Sequence, residues 1–511
     1  MAFIKNLLLL SVIIPICLGK KSPNFVLILA DDVGYGDFQC YGHATQERGA
    51  VDDLAAEGMR FTQWYAPDSL CSPSRAALLT GRYPIRSGIV GPNRVFWQNS
   101  RGGLPKSEET LAEALKRYNY TTGIVGKWHL GINEFVANDG NHLPHHHGFD
   151  YVGTLLSFSY HFRCDPTKFK AEERTEKCFL NKGSKLVQQP ITSEDLTEKI
   201  LNDSKSFIKL YSKKPFFLYM SMPQAHSALF ASKNFRGNSK RGIYGDSINE
   251  MSWAIGKLIK LLRELHLDEN TLVIFLSDHG PQAELCHHGG SAGPLRGGKA
   301  STWDGGLKVP AMAWWPGTIK PGSVYRGVLS SMDIFPTFLN LAGGETVTKL
   351  DGTSLTDVLT GTHDDAKDPA KHDVLFHYCS DQIMAVRIGP YKLHYYSQYQ
   401  RDYEGDLCNN GNPYDDKLLY FNCSLSHYHD PPLIFDINRD PGEQFPLDPS
   451  KQQDLVERTA SLVQKHRQTI IPVPSQLGSH DSNVQPCCNP PLCACNYQAD
   501  EDGIELSKDE L

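Results

Sequence analysis

The chain has 511 residues, 40% hydrophobic and 21% charged, a globular composition that argues against a disordered, collagen-like or multi-span membrane protein. With 51 basic against 58 acidic residues the net charge is -7, so the basic excess of a nucleic-acid binder is missing. At about 150 residues per domain the length fits one large domain plus a smaller one.

Residues 1–19, MAFIKNLLLLSVIIPICLG, place one Lys before an apolar run from Leu7 to Ile16 and the small residues Cys17 and Gly19 at a cleavage site. This is the pattern of a secretory signal peptide, too short for a membrane span. No later run reaches the length of a transmembrane helix, so the mature chain is expected in a compartment where disulfides form.

Asn24–Ala30 (NFVLILA) is an uninterrupted apolar run, as in a buried parallel strand. Glu108–Arg117 has helical spacing with Leu111, Ala114 and Leu115 on one face, and Thr121–Val125 follows as a short strand. Leu196, Ile200, Phe207, Ile208 and Tyr211 mark a helix capped by Thr192 or Ser193, and Phe216–Met222 reads as a strand. A long helical stripe from Ile248 to Leu265 precedes the strand Thr271–Ser277. After about residue 370 the texture changes to close-spaced β runs, Val374–Tyr378, Met384–Ile388 and Tyr391–Tyr396, with Leu455–His466 as a closing helix. The tail from Pro474 is rich in Pro, Cys, Asn and Asp and is expected to lack regular structure.

The expected class is therefore α/β: a large, mostly parallel sheet flanked by helices, plus a smaller C-terminal domain with an antiparallel sheet. The expected boundaries are 1–19 signal peptide, 20–370 catalytic domain, 371–480 smaller domain and 481–511 Cys-rich tail. The chain ends in Lys508-Asp509-Glu510-Leu511, the receptor-read signal for retention in the endoplasmic reticulum. The lumen of that organelle is the expected location, with the KDEL receptor as a partner and the lysosome or secretion as the alternative. Sequons at Asn119, Asn202 and Asn422 fit the same route.

In an open α/β sheet, ligands bind beyond the carboxyl ends of the strands. The residues there are Asp31 and Asp32, Lys127 and His129, His226, then Asp278 and His279. Three carboxylates converging with no evident basic partner call for a hard divalent cation. Lysines and histidines beside such a cation make a cradle for sulfate or phosphate, which points to hydrolysis of an anionic ester. In Leu70–Arg82, Pro73 suits the first turn of a helix and Gly81 its end. Cys71 then lies at a helix N-terminus, where the dipole favours an anion, although a plain cysteine there, taken without context, reads first as a disulfide partner.

The run C-x-P-x-R from Cys71 to Arg75, followed by AALLTGR, resembles the signature of the type I sulfatases. Gly126-Lys127-Trp128-His129-Leu130-Gly131 is similar to a second signature of that family, and Ala30–Asp37 to its opening motif. The resemblance runs from about residue 23 to about residue 495. It implies an alkaline-phosphatase-like fold and a formylglycine made from Cys71 in the endoplasmic reticulum, with the formylglycine-generating enzyme as a partner. It also implies one divalent metal, Ca2+ or Mg2+, held by Asp31, Asp32, Asp278, His279 and the modified Cys71. Arg75 would hold the formylglycine, and Lys127 and His129 would position and deprotonate it. His226 and Lys299 would bind sulfate and assist the leaving group, Ser157 (or its neighbour Ser159) would contact sulfate, and His394 the substrate.

The residue after Asp278 is His279, where family members carry asparagine or histidine, and imidazole suits these hard cations less than oxygen does. The substrate is expected to be a small sulfated lipid, steroid or sugar, or an aryl sulfate. Phe96, Trp97 and Tyr160 lie near the pocket or in the core. The resemblance leaves a homo-oligomer open. Phosphoester or phosphonate hydrolysis on the same fold, and a luminal binding protein without turnover, are the rival readings. Among the cysteines, tail cross-links of Cys487, Cys488, Cys493 and Cys495 and local bridges Cys164–Cys178 and Cys408–Cys423 are expected. Cys40, Cys286 and Cys379 would be left over, with at least one free thiol.

Overall fold

Asn24–Ala30 forms strand β1, and every one of its residues is buried. The computed structural model describes residues 22–161, 164, 178–345, 348–362, 370–398 and 423–486. The leader, Cys408, the sequon at Asn422, the cysteines from Cys487 onward and Lys508–Leu511 lie outside the described residues. The next strands are β2 (Met59–Tyr65), β3 (Thr121–Lys127), β4 (Tyr151–Leu156), β5 (Leu180–Lys182), β6 (Lys185–Gln188) and β7 (Phe216–Ser221). They are followed by β8 (Thr271–Ser277), β9 (Lys308–Trp314), β10 (Ser323–Tyr325) and β11 (Leu329–Ser330). Together they build an 11-stranded sheet in the order β10-β2-β9-β8-β1-β7-β3-β4-β5-β6, with β11 on β2. β1 is parallel to β7 and β8, and β3 to β7 and β4; β9 runs antiparallel to β8 and β2.

The strand periodicity of two explains how both faces are covered. Phe25 and Phe217 are register partners, and Phe338 of the Ile334–Leu341 helix stacks on Phe25 at 4.3 Å. The opposite face carries Val26, Leu218 and Gly123 in register. There the ring of Phe207, from the Leu196–Tyr211 helix, leaves no room for a side chain at Gly123, where a Cβ would come within 2.5 Å. A parallel sheet buried on both faces needs the continuous apolar run seen in β1.

The second sheet has four antiparallel strands, β12 (Val374–Cys379), β13 (Gln382–Ile388), β14 (Tyr391–Ser397) and β15 (His427–Asp436). The Gln453–Gln468 helix closes it, with Leu455, Val456 and Leu462 against Ile388, Leu393 and Ile434. Tyr378, Ile383 and Val386 then dock on Ala77, Tyr83 and Met332 of the larger domain. The described part of the tail, residues 474–486, holds one 3-10 turn, Ser482–Val484, and is anchored to the larger domain. Gln476 and Leu477 bond to the backbone of Gly88 and Val90, and the Val484 carbonyl accepts from Asn133.

β3 extends two residues beyond the expected Val125, so Lys127 is the strand's last residue. The sequence hid this because Gly126 breaks the apolar run; it has φ 97°, and a Cβ there would sit 1.8 Å from the Ser221 carbonyl oxygen. The Cys164–Cys178 bridge forms as expected. The expected Cys408–Cys423 bridge is corrected: Cys423 pairs with Cys379, whose strand β12 lies in the same small sheet, and Cys286 is also disulfide-bonded. Among the described residues Cys40 and Cys71 are free. Asn119 and Asn202 are exposed. Among the described residues no helix is long and apolar enough to cross a membrane.

Candidate active site

The central strands β8, β1, β7, β3 and β4 are neighbours and point their carboxyl ends the same way, so the residues after them share one edge. The ladder continues past the strands, with Asp31 N donating to Gln224 O at 2.8 Å and Asp278 N to Ala30 O at 3.0 Å. These bonds bring Asp31, Asp32, His226, Asp278 and His279 together. Asp32 and His129 adopt left-handed backbone conformations, φ 59° and 61°, which cost energy in non-glycine residues and persist where the surroundings enforce them.

The Cys71–Thr80 helix lies wholly buried across this edge. Pro73 occupies its first turn, where a missing N–H leaves no acceptor unsatisfied, and Gly81 ends it with φ 66°. The helix therefore presents Cys71 at its N-terminus and Arg75 one turn later. Cys71 Sγ is 3.2 Å from His279 Nε2 and 3.7 Å from Asp31 Oδ1. Arg75 donates to Asp278 Oδ2 from Nε at 3.0 Å and from Nη2 at 2.8 Å, to Ser221 Oγ at 2.6 Å, and lies 3.3 Å from Asp31.

One expectation is corrected by these contacts: the carboxylates are not without basic partners. Lys127 Nζ reaches both Asp31 oxygens at 2.9 and 2.7 Å, and Lys299 Nζ both Asp32 oxygens at 2.9 and 2.6 Å. The charge balance is nevertheless uneven. Burial would raise the Asp31 carboxyl, but Lys127 and Arg75 outweigh it and hold it well below the usual range. Asp32 stays raised, because its burial and its neighbours Asp31 and Asp278 outweigh Lys299 and His279. An added cation beside Asp32 would relieve that imbalance.

The donor geometry fits one ion. Asp31, Asp32, Cys71 and His279 each offer an atom within 4.8 Å of the others, and all four are buried. Donors on opposite sides of an ion with bonds of about 2.4 Å stand about 4.8 Å apart. His279 is also oriented for the part. Its Nδ1–H donates to Gly280 O at 2.9 Å, which turns Nε2 toward Asp32 Oδ1 at 3.3 Å and Asp278 Oδ1 at 3.7 Å. Burial would depress this imidazole, but Asp278, Cys71 and Asp32 pull it up to about 9. Asp278 borders the group, its Oδ2 engaged by Arg75 and its Oδ1 by the Asp32 and His279 amides.

His129 and His226 flank the cluster as neutral bases. His129 Nε2–H donates to Phe96 O at 2.7 Å, leaving Nδ1 buried without a partner among the described residues. Burial, with Lys127 and Arg75 adding, holds its pKa well below normal. His226 Nδ1–H donates to Ser227 O, and Nε2 faces Asp32 Oδ2 at 3.9 Å. Burial and then Lys299 depress it strongly.

Of the two serines after β4, Ser159 meets Lys127 Nζ at 2.9 Å, while the Ser157 hydroxyl has no partner among the described residues and its carbonyl accepts from His129 N. His394, on β14 of the smaller domain, is buried. It bonds to Glu443 Oε1 at 2.7 Å, and its ring packs on Trp303 at 4.2 Å. Phe96 and Tyr160 are buried, Tyr160 against Phe230, whereas Trp97 is exposed. Sequence reasoning missed Ser221 and the Phe96 carbonyl. Ser221 carried a legible signal, since it ends the strand before His226; a backbone acceptor carries none.

Residues 23–344 match the sulfatase family model, and residues 370–496 match the C-terminal region of aryl-sulfatase. The chain is 43% identical over 500 residues to an arylsulfatase of Hemicentrotus pulcherrimus, covering 96% of this chain and 89% of that one. It is 37% identical over 498 residues to arylsulfatase A of Bos taurus, covering 92% and 94%. It is 32% identical over 570 residues to steryl-sulfatase of Homo sapiens, covering 96% of each. Among solved structures, the PsFucS1 sulfatase from Pseudoalteromonas sp. is similar with a TM-score of 0.75 at 28% identity, covering 88% of this chain and 90% of that one. A phosphonate monoester hydrolase of Agrobacterium radiobacter shares the fold, with a TM-score of 0.59 at 19% identity, covering 88% and 96%. Sulfatases thus match along both sheets, over the same residues that bring the strand-end acids and bases to one edge, and the chain belongs to the type I sulfatase family of sulfuric ester hydrolases, with an alkaline-phosphatase-like fold.

Proposed function

We propose that the protein hydrolyses sulfate esters of small lipids, steroids, sugars or aryl alcohols with a formylglycine made from Cys71. The observation that carries this reading is the place of Cys71: buried, first in its helix, and among the four donors that could hold a cation. Its Sγ stands where the oxygens of a formylglycine hydrate would be. The hydrate would supply one hydroxyl to attack sulfur and a second whose deprotonation lets sulfate leave as the aldehyde re-forms. A divalent cation, Ca2+ or Mg2+, when held by Asp31, Asp32, Asp278 and His279, supplies positive charge to the sulfuryl oxygens.

The chain's own residues divide the remaining work. Arg75, locked to Asp278 and Ser221, fixes the residue at position 71 one turn before it. His129, neutral and with a bare Nδ1, is the base that takes the proton of the hydrate. Lys127, with Ser159 or Ser157, binds sulfate oxygens, and Lys299 with His226 assists the departing alcohol. His394, bonded to Glu443 and packed on Trp303, is read as the histidine by which the smaller domain contacts the substrate.

The catalytic unit is read as residues 20–370 and the smaller unit as 371–480. Entry to the secretory pathway through residues 1–19, modification by the formylglycine-generating enzyme and retention by the KDEL receptor place the enzyme in the lumen of the endoplasmic reticulum. Parallel assays on nitrophenyl sulfate and nitrophenyl phosphate test the chemistry. Turnover of the sulfate ester, with an aldehyde mass on the peptide across Cys71, is expected. Dominant phosphatase activity, or an unmodified thiol in active material, overturns it.

A further inference from the structure

Between residues 474 and 486 the chain is largely exposed, yet it is fastened along the segment that carries Phe96. Gln476 N donates to Gly88 O at 2.8 Å, Leu477 N to Val90 O at 3.3 Å and Asn93 N to Leu477 O at 3.2 Å. Beyond Phe96, Asp481 N donates to Asn99 O at 2.9 Å, Arg101 N donates to Ser479 O at 3.3 Å, and Ser100 and His480 form an antiparallel bridge. The Arg101 guanidinium pairs with the Asp481 carboxylate. The tail thus grips this segment on both sides of Phe96. Its apolar anchor is Leu477, 2% exposed and packed in the main core. The approach is close: a Cβ on Gly91 would stand 2.8 Å from the Leu477 carbonyl.

Phe96 is the point where that segment meets the reacting groups. Its amide donates to Ser72 Oγ at 3.1 Å, beside Cys71, and its carbonyl accepts from His129 Nε2 at 2.7 Å. The second bond fixes the His129 tautomer, because it engages Nε2–H and leaves Nδ1 without a partner among the described residues. The tail also reaches the chain beyond His129. Val484 O accepts from Asn133 Nδ2 at 2.8 Å, and Asn133 O accepts from Gly102 N at 3.0 Å. Both segments that meet at the Phe96–His129 bond are therefore tied to residues 476–484.

The place of a backbone carbonyl is set by what pins the chain on either side of it. We propose that the tail segment Gln476–Val484, anchored by Leu477, is a strap that positions the base, by holding the Phe96 carbonyl that orients His129. Leu477 acts through Phe96 and is a positioning residue. This rests on the reading of His129 as the group that takes the proton of the second hydroxyl of the hydrate at position 71. In that step the Cβ–O bond to the sulfate breaks, sulfate leaves with its electron pair and the aldehyde re-forms. A misplaced base slows this step while attack on sulfur continues, so the sulfated residue at position 71 builds up.

The test compares wild type, Leu477→Ala, Leu477→Met, Asp481→Ala and His129→Ala on nitrophenyl sulfate. It reads kcat and KM per folded molecule and, in acid-quenched samples, the mass of the peptide that carries residue 71. Leu477→Ala should lose about 10- to 100-fold in kcat, the range that a small misplacement of a reacting group costs. Its KM should stay near the wild-type value, and the peptide should carry a sulfate adduct in the steady state. Asp481→Ala, a change at the surface, should lose less in the same direction, and Leu477→Met, which keeps an apolar anchor, should turn over like wild type. His129→Ala should accumulate the same adduct. If it does, and Leu477→Ala keeps its kcat or loses kcat without an adduct, the strap is overturned while the base stands. If His129→Ala carries no adduct, the reading of His129 falls and the strap with it. Should Leu477→Ala fail to fold, Asp481→Ala decides in the same way.

Discussion

Gln398 of the smaller domain grips the backbone at Ala300, one residue after Lys299. Its Nε2 donates to Ala300 O at 2.6 Å, and its Oε1 accepts from Thr302 N at 2.8 Å. Ala300 is left-handed, φ 67°, a conformation that needs such support. The second sheet therefore holds the loop that brings Lys299 to Asp32. Replacing Gln398 by Leu removes these bonds, leaving the buried Thr302 N–H without this acceptor, at about 1–3 kcal/mol, and Ala300 O with only Arg94 Nη1 at 3.5 Å. We expect kcat/KM on nitrophenyl sulfate to fall by between about fivefold and about 150-fold, the factors that about 1–3 kcal/mol correspond to. The effect should exceed that of a conservative change within the neighbouring strand β14 with the same melting temperature.

Arg75 is fully buried between Asp278 and Asp31. A lysine there keeps the charge but loses the planar fork that serves Asp278 and Ser221 at once. Breaking a buried pair costs about 3–5 kcal/mol, so Arg75→Ala should unfold at markedly lower denaturant. Arg75→Lys should fall between it and wild type. Urea midpoints measure this, and an unchanged midpoint for Arg75→Ala counts against the assignment.

Cys71→Ser should keep the fold, because the side chain is of similar size, and should lack steady turnover. A serine has a hydroxyl to accept the sulfuryl group but no second hydroxyl on the same carbon to expel it. Incubation with nitrophenyl sulfate should give at most one equivalent of nitrophenol, with a sulfate adduct on the peptide from Cys71 to Arg75 by mass spectrometry.

Chelation should destabilise the protein. A cation that binds only the folded chain adds about 2.7 kcal/mol at a hundredfold excess over its Kd. The melting temperature is expected to drop in EDTA and recover with excess Ca2+ or Mg2+. In Asp32→Asn, which removes a charge from the four-donor group, that response should be much smaller.

His372 gives the stability a pH dependence away from the metal cluster. Burial would lower its pKa, but Asp333, 2.7 Å from Nε2, outweighs burial and raises it above the ordinary 6.5. A histidine raised on folding stabilises fully below its unfolded pKa and loses that contribution as pH rises through its folded pKa. Relative to His372→Gln, wild type should therefore be more stable at mildly acidic pH, with the advantage shrinking as pH climbs from about 6.5. Thermal melts of both proteins across that window check the sign.

Much of the large domain was legible because its signals are local. β1 is an apolar run closed by two aspartates, and the helix at Cys71 carries its proline and glycine at the right places. β2, β4, β9 and β15 were not legible: their runs are mixed with polar residues, and their identity comes from partners in the sheet.

By itself the sequence determined which side chains gather at the strand ends, because short apolar runs mark where the strands lie, and it placed the sulfatase motifs there, although Lys127 is the last residue of β3 rather than beyond it. Only the tertiary structure decided how they pair. Arg75 meets Asp278 across 203 residues and Lys299 meets Asp32 across 267. Cys379 takes Cys423 as its partner, and Ser159 is the serine that touches Lys127. No local pattern encodes such contacts. They follow from the order of strands in the sheet and from the docking of the smaller domain, which set distances that sequence separation does not.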